Sequence, residues 1–320
     1  MRIVDTHNDA LLRLRYPEQG LTDPARHVTC RRMREGGLTM MTFAAYTSEP
    51  EEFGSMLHMG LREIDAFYTM LDVHREDLQQ VRSPEDLERA AAAGRIGALL
   101  SVEGGNVLEG DLHVLRLLHR LGVRMFGLCW SLSNEIATGC RDTGPEDRGL
   151  LPFGREVVRE CDRLRMMVDL SHASDRTFWQ VLEIAQNPVC ASHSCARALC
   201  PDQMRNLTDE MLTALGARGG YVGVNFSHDF LVGGGLPPEH RATVDDVVRH
   251  IEHMAERAGV RAVGIGSDFD GIGRTPVGLE DCGCLGRIAE ALLRRNWSEA
   301  DVRGIMGENF LAYWKRVLDA

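Results

Sequence analysis

Short apolar runs alternate with amphipathic stretches along the whole of this chain. The runs predict strands over 2–5, 38–44, 96–102, 123–128, 166–170, 189–192, 221–225 and 263–267. Several are continuously apolar rather than alternating, as in strands covered on both faces. Between them, helical periodicity covers 55–80, 84–93, 112–121, 154–164, 175–185, 209–215 and 244–258, with further helices over 281–295 and 298–314. Ser83-Pro84 and Ser174-Asp175 read as N-caps opening acidic first turns. Eight strand–helix units imply an α/β fold, a (β/α)8 TIM barrel forming a single domain over 1–320. The rival, a doubly wound open sheet, lacks the Gly-rich phosphate fingerprint after 2–5. The Met-rich run at 38–44 fits a buried helical turn as well as a strand.

Five of these runs end in polar segments: His7-Asn8-Asp9, Glu103-Gly104-Gly105, Ser171-His172, Ser192-His193 and Ser267-Asp268-Phe269-Asp270-Gly271. In a barrel, groups at the C-terminal strand ends converge on one mouth. Three histidines and three carboxylates brought together there suit a pair of divalent metals. His7 and Asp9 are two residues apart and point to one face. Alone, such a pair is more often hydrogen-bonded or a helix cap; its place at a strand end favours metal binding. Glu103 follows a buried run, where a carboxylate needs a partner or a cation. Its two oxygens could bridge two metals, although an arginine at the barrel rim would satisfy it as well. His172 and His193 end consecutive strands, and neutral imidazole makes zinc the leading metal. Strand alternation points Asp268 into the mouth as acid or base and Asp270 away from it.

Composition narrows the classes without selecting one. The 320 residues are 44% hydrophobic, enough for a large core. With 36 basic against 47 acidic residues the formal charge is −11, which argues against a nucleic-acid surface. Nine cysteines form an odd set, and Cys282-Gly283-Cys284 is too solitary for a disulfide framework, so reduced core thiols are expected. The chain enters its first strand without a leader and has no apolar run of 18 residues, so a soluble, cytoplasmic protein without a membrane partner is expected.

Taken in order, His7-Asn8-Asp9, Val102-Glu103-Gly104-Gly105, Leu170-Ser171-His172-Ala173-Ser174, Ala191-Ser192-His193-Ser194, Arg205-Asn206-Leu207-Thr208-Asp209 and Gly266-Ser267-Asp268-Phe269-Asp270-Gly271 resemble the motifs of the membrane (renal) dipeptidase family, metallopeptidase family M19. The likeness continues through Arg295-Asn296-Trp297-Ser298 to Gly307-Glu308-Asn309. The resemblance implies an amidohydrolase-type barrel with two zinc ions: His7 and Asp9 on one, His172 and His193 on the other, Glu103 bridging. It implies further that Asp268 lies beside the bridging water, that Arg205 binds the substrate's terminal carboxylate, and that the protein is a homodimer. A guanidinium offers paired donors to a carboxylate.

Two departures stand out. Animal members carry a substrate-contacting histidine just after the fourth strand, where this chain reads Leu128-Cys129-Trp130-Ser131. Trp130 can donate its indole N–H but cannot shuttle a proton. Nor are the leader and lipid anchor of the animal proteins expected, as in cytoplasmic bacterial members. The expected function is a zinc dipeptidase, tolerant of a D-residue at the C-terminal side, with a small dipeptide as partner. Two rivals stay open: the same bimetal site acting on an N-acyl amino acid, lactone or phosphoester, and a non-catalytic metal-binding scaffold. Arg205 favours substrates that end in a carboxylate. Loops at 46–53, 130–150 and 226–240 are expected to set specificity.

Overall fold

A computed structural model describes residues 1–14, 19–48, 54–142, 144–233 and 241–320. Its strands are β1 (Val4–Asn8), β2 (Met40–Tyr46), β3 (Leu78–Gln80), β4 (Ile96–Glu103), β5 (Val123–Gly127), β6 (Met167–Asp169), β7 (Cys190–Ser194), β8 (Tyr221–Val224) and β9 (Val263–Ile265). All pair in parallel, and β1-β2-β4-β5-β6-β7-β8-β9 closes on itself through β9–β1 and β2–β4 pairing. This is the expected (β/α)8 barrel. The ninth strand, β3, lies outside the ring and pairs with the first residues of β4, from Leu78↔Ile96 to Gln80↔Ala98, before β5 pairs with β4 from Leu100.

The Met-rich run is a strand: all seven residues of β2 are buried, and Met40 to Tyr46 pair in register with Gly97 to Glu103. The helix expected over 55–80 is corrected to Met56–Val73. Its end is set by His74, whose backbone N–H closes on Met70 and whose Nε2 accepts from Leu21 N–H at 2.9 Å. That bond holds the chain in a turn, from which Leu78–Gln80 leaves as β3. The first strand begins two residues later than expected and takes in His7. Periodicity does not reveal the helix at Cys30–Glu35, capped by Thr29, because six residues are too few to show it. The single helix expected over 298–314 is corrected to a short helix at Glu299–Arg303, a wider turn at Gly304–Glu308 and a last helix at Asn309–Asp319.

The N-terminal strand ends are closed by apolar packing. Val4, Met40, Met167, Cys190 and Tyr221 cluster with Phe310, Tyr313 and Trp314 of the last helix. Burying three aromatic side chains there stabilises the barrel by several kcal/mol, on the order of 2–3 each. The opposite end is left for chemistry, as is usual for this architecture.

Helix Met56–Val73 buries a carboxyl against β2: Tyr46 N–H donates to Glu63 Oε2 at 2.7 Å. Burial pushes the Glu63 carboxyl up to about 8, against the pull of that bond, with the Glu103 charge adding to the rise. The folded state therefore keeps a proton that the unfolded chain gives up near 4.5. Stability from this group is complete below that range and is lost as the pH rises toward 8. Glu63→Gln, which preserves an acceptor for Tyr46 N–H, is expected to change stability little at pH 5. At pH 8 it should raise the denaturation midpoint, the unfolding free energy growing by an amount on the order of 1–3 kcal/mol. Urea titrations at the two pH values check this, and an equal effect at both would contradict it.

Candidate metal centre and substrate cleft

Five side chains expected at the barrel mouth meet there. Glu103 is the last residue of β4 and His193 lies in β7, while His7 and Asp9 stand at the end of β1 and His172 follows β6. Glu103 divides its oxygens between two groups. Oε1 lies 2.7 Å from His172 Nε2 and 3.6 Å from His193 Nε2; Oε2 lies 3.4 Å from His7 Nε2, which is 3.7 Å from Asp9 Oδ2. The His7 and His193 rings stack at 3.6 Å, so the groups share a wall. Among the described residues no arginine pairs with Glu103, which sets aside the rim-arginine alternative. The helix-cap alternative for Asp9 falls too: Asn8 Oδ1 accepts from Ala10 N–H at 2.9 Å, and the Asp9 side chain caps nothing.

The charges at this centre are strongly interdependent. Burial disfavours a charged Glu103, yet the His7 charge, followed by the His172 and His193 imidazoles beside it, holds its carboxyl well below the usual range. Burial, followed by the Glu103 charge, pushes Asp9 well above the usual carboxylate range. His7 is raised in spite of burial, by Glu103 and Asp9. Burial, then the nearby His7 and Arg205 charges, holds His193 well below the ordinary imidazole value, so it stays neutral as ligation requires. Protons thus occupy the places where cations would neutralise the carboxylates. Two buried polar atoms, His7 Nε2 and Asp9 Oδ1, lack any hydrogen-bond partner. Ligand atoms of Glu103, His172 and His193, and separately of His7, Asp9 and Glu103, lie within 4.8 Å of one another. A metal ion fits this donor set and relieves both orphaned atoms.

Two buried aspartates that sequence reasoning passes over orient these ligands. Asp169 accepts from Ser192 N–H at 2.8 Å, from Ser171 Oγ at 2.6 Å and from Ser192 Oγ. With its only proton given to Asp169, Ser192 Oγ must accept from His193 Nδ1–H, 2.8 Å away, which turns the Nε2 lone pair toward the centre. Asp5 acts on the far side only through the backbone, anchoring the turn before Asp268 by accepting from Ser267 Oγ at 2.5 Å and Ser267 N–H at 2.9 Å; burial pushes its carboxyl up to about 6. The available signal is a carboxylate inside an apolar strand, the same signal read at Glu103.

Asp268 reaches the mouth by a route other than strand alternation. Strand β9 ends at Ile265, and Asp268 and Asp270 both adopt left-handed backbone, with φ of 62° and 66°. Asp268 N–H donates to His7 O at 3.1 Å, and Asn225 Nδ2 donates to Asp268 Oδ2 at 2.8 Å. Asp268 then offers a ligand atom within 4.8 Å of those of His7 and His193. Asp270 turns away, accepting from His27 and Val28 N–H, as expected. Gly271 is required by proximity, since a Cβ there would overlap Asp9 Oδ2 and Asp268 Oδ1. Gly104, with φ of 93°, likewise admits the backbone of Thr47.

Arg205 is 6% exposed and lies behind His172 instead of lining the cleft. Its Nε is 3.2 Å from His172 Nδ1, and it donates to Ser194 Oγ and His193 O, each at 2.8 Å. The cleft above the centre, about 630 Å³, is lined by Asp9, Tyr46, Glu103, Trp130, His172 and Asp268 among others. Trp130 meets Tyr46 edge-on at 5.6 Å and lies 5.9 Å from His172, so it shapes the wall. Of the loops expected to set specificity, 49–53, 143 and 234–240 lie outside the described residues.

Comparison with known proteins agrees with this geometry. The sequence profile of the family described as membrane dipeptidase (peptidase family M19) matches residues 1–320. A protein of Schizosaccharomyces pombe named as an uncharacterized dipeptidase is 36% identical over 98% of this chain and 80% of its own length. Human dipeptidase 3 is 35% identical over 98% of this chain, which spans 65% of that protein. The crystal structure of a Rhodobacter sphaeroides metallo peptidase, liganded with a phosphinate mimic of L-Ala-D-Ala, superposes with a TM-score of 0.91 at 30% identity, covering 99% of both chains. With its metal-ligand cluster in a closed barrel and this similarity from end to end, the chain belongs to the membrane dipeptidase family, peptidase family M19, as a metal-dependent dipeptidase.

Proposed function

We propose that the protein hydrolyses the amide bond of dipeptides bearing a free C-terminal carboxylate, with two zinc ions as cofactors. The observation that carries this is the division of Glu103, one oxygen toward His172 and His193, the other toward His7 and Asp9. His7 and Asp9 would hold one ion, His172 and His193 the other, with Glu103 shared. Ions so held would lower the pKa of a bound water and polarise the scissile carbonyl.

The chain's own residues do the rest. Asp268, held by Asn225 Nδ2 between His7 and His193, accepts a proton from the attacking water and passes it to the leaving amine. Ligation through His172 Nε2 requires its proton on Nδ1, where Ser131 Oγ, 3.0 Å away, can accept it. Arg205 Nε then has no acceptor on that ring and is left to pair with the substrate carboxylate, while its other nitrogens stay bonded to Ser194 Oγ and His193 O. Trp130, whose indole N–H has no acceptor among the described residues, faces the same cleft and can donate to the substrate carbonyl. A dipeptide with a D-residue at the C-terminal side is included in the proposal, supported by the ligand of the Rhodobacter sphaeroides relative. A reducing, cytoplasmic location also belongs to it, supported by nine free cysteines.

Two experiments test these roles. Amidating the substrate's C-terminus should lower kcat/KM sharply in the parent and far less in Arg205→Ala, the pair contributing on the order of 2–5 kcal/mol. Equal hydrolysis of free and amidated dipeptides by the parent would reject the carboxylate role and favour the broader amide hydrolase. Asp268→Asn should keep its metal and its dipeptide affinity while kcat falls about 100-fold or more. Loss of metal together with activity would make Asp268 a ligand instead of a proton carrier.

A further inference from the structure

The cleft carries a cation that the chemistry above leaves unused. Arg141 lines the wall, exposed, with its guanidinium carbon 5.2 Å from the centre of the Trp130 ring. Among the described residues it has no carboxylate partner. The acids lining the same cleft are all committed: Asp9 and Glu103 at the metal centre, Asp268 to Asn225, and Asp229 to Arg274 at 2.6 Å. Its neighbour Asp142 is occupied by Ser133 N–H at 2.6 Å.

The position of Arg141 is built, not incidental. Cys140 N–H donates to His172 O at 2.8 Å and Arg141 N–H to Ser131 O at 2.9 Å, tying this loop to a metal ligand and to the serine that orients it. The Trp130 face holds the guanidinium by a cation–π contact that leaves its N–H edge open. Arg13, the other arginine in the cleft with no ion pair among the described residues, follows Asp9 and donates to Asp270 O, at the opposite ligand pair. Arg141, through Trp130, belongs to the His172 end, where Arg205 also lies. That is the end assigned above to the substrate's C-terminal residue.

We propose that Arg141, laid on Trp130, binds a carboxylate on the side chain of the substrate's C-terminal residue, so that dipeptides ending in aspartate or glutamate are preferred. This rests on the dipeptidase function proposed above. Each acid has an amide of nearly the same shape, so the comparison isolates charge. The test measures kcat/KM for zinc-loaded protein on Ala-Asp against Ala-Asn and Ala-Glu against Ala-Gln, with either configuration at the second residue, and on Asp-Ala against Asn-Ala.

The parent should favour the acid at the C-terminal position by about tenfold or more, a preference that shrinks with added salt. In Arg141→Met the acid-to-amide ratio should fall toward one, whatever happens to the absolute rates, and Arg141→Glu should shift preference toward Ala-Lys. Parent protein that cleaves Ala-Asn as well as Ala-Asp overturns this proposal and leaves the dipeptidase function standing. An acid preference unchanged in Arg141→Met, or found at the N-terminal residue instead, also overturns it. Failure to cleave any dipeptide removes both proposals.

Discussion

A buried carboxylate at the end of β4 governs the barrel mouth. Glu103 sits where ionisation is costly without compensation, yet its surroundings favour the charged form because imidazoles from three other strands converge on it. Each must present Nε2, not Nδ1, toward the same few ångströms. That requirement explains the polar residues packed behind the ligands. Asp169 and Ser192 fix His193, Ser131 takes the outer nitrogen of His172, and Asp5 with Ser267 anchors the turn that carries Asp268. The glycines beside the centre make room for neighbouring carboxylates and backbone.

The two ends of the barrel divide the physical tasks. Apolar side chains and the last helix close the N-terminal strand ends, so packing there tolerates the poorly compensated charges gathered at the other end. Asp5, Glu63 and Asp9 all hold protons more tightly than ordinary carboxyls, chiefly because they are buried. Their stability contributions are lost as pH rises through the raised values, whereas binding of cations at His7 and Asp9 displaces protons and is favoured by the same rise. At these carboxyls, metal loading and stability are thus linked in opposite directions to pH.

Much of this was legible in the sequence, for a physical reason. Strands buried on both faces are written as apolar runs, so a histidine or carboxylate at the end of such a run is conspicuous; His7, Asp9, Glu103, His172 and His193 all stand out that way. Asp5 and Asp169 carry the same signal one step earlier in their strands but are absorbed into the runs. The left-handed turn at Asp268 leaves no mark beyond Asp270-Gly271, and strand alternation reaches the right residue by the wrong geometry. Periodicity runs the helix after 55 through to 80 because His74 ends it by a contact with Leu21, more than fifty residues away. Arg205 is identifiable only by its motif, and nothing in the sequence shows that it lies behind His172 instead of in the open cleft.

The most direct measurement of the shared-carboxylate centre is a zinc titration of chelator-stripped protein, following bound metal and dipeptide hydrolysis together. The account predicts two equivalents per chain, with activity appearing as the centre fills. In Glu103→Gln both equivalents should bind more weakly, by well over tenfold, since a neutral amide is a poor bridge between cations. One equivalent supporting full activity, or a Glu103→Gln protein in which either ion binds as tightly as in the parent, would contradict it.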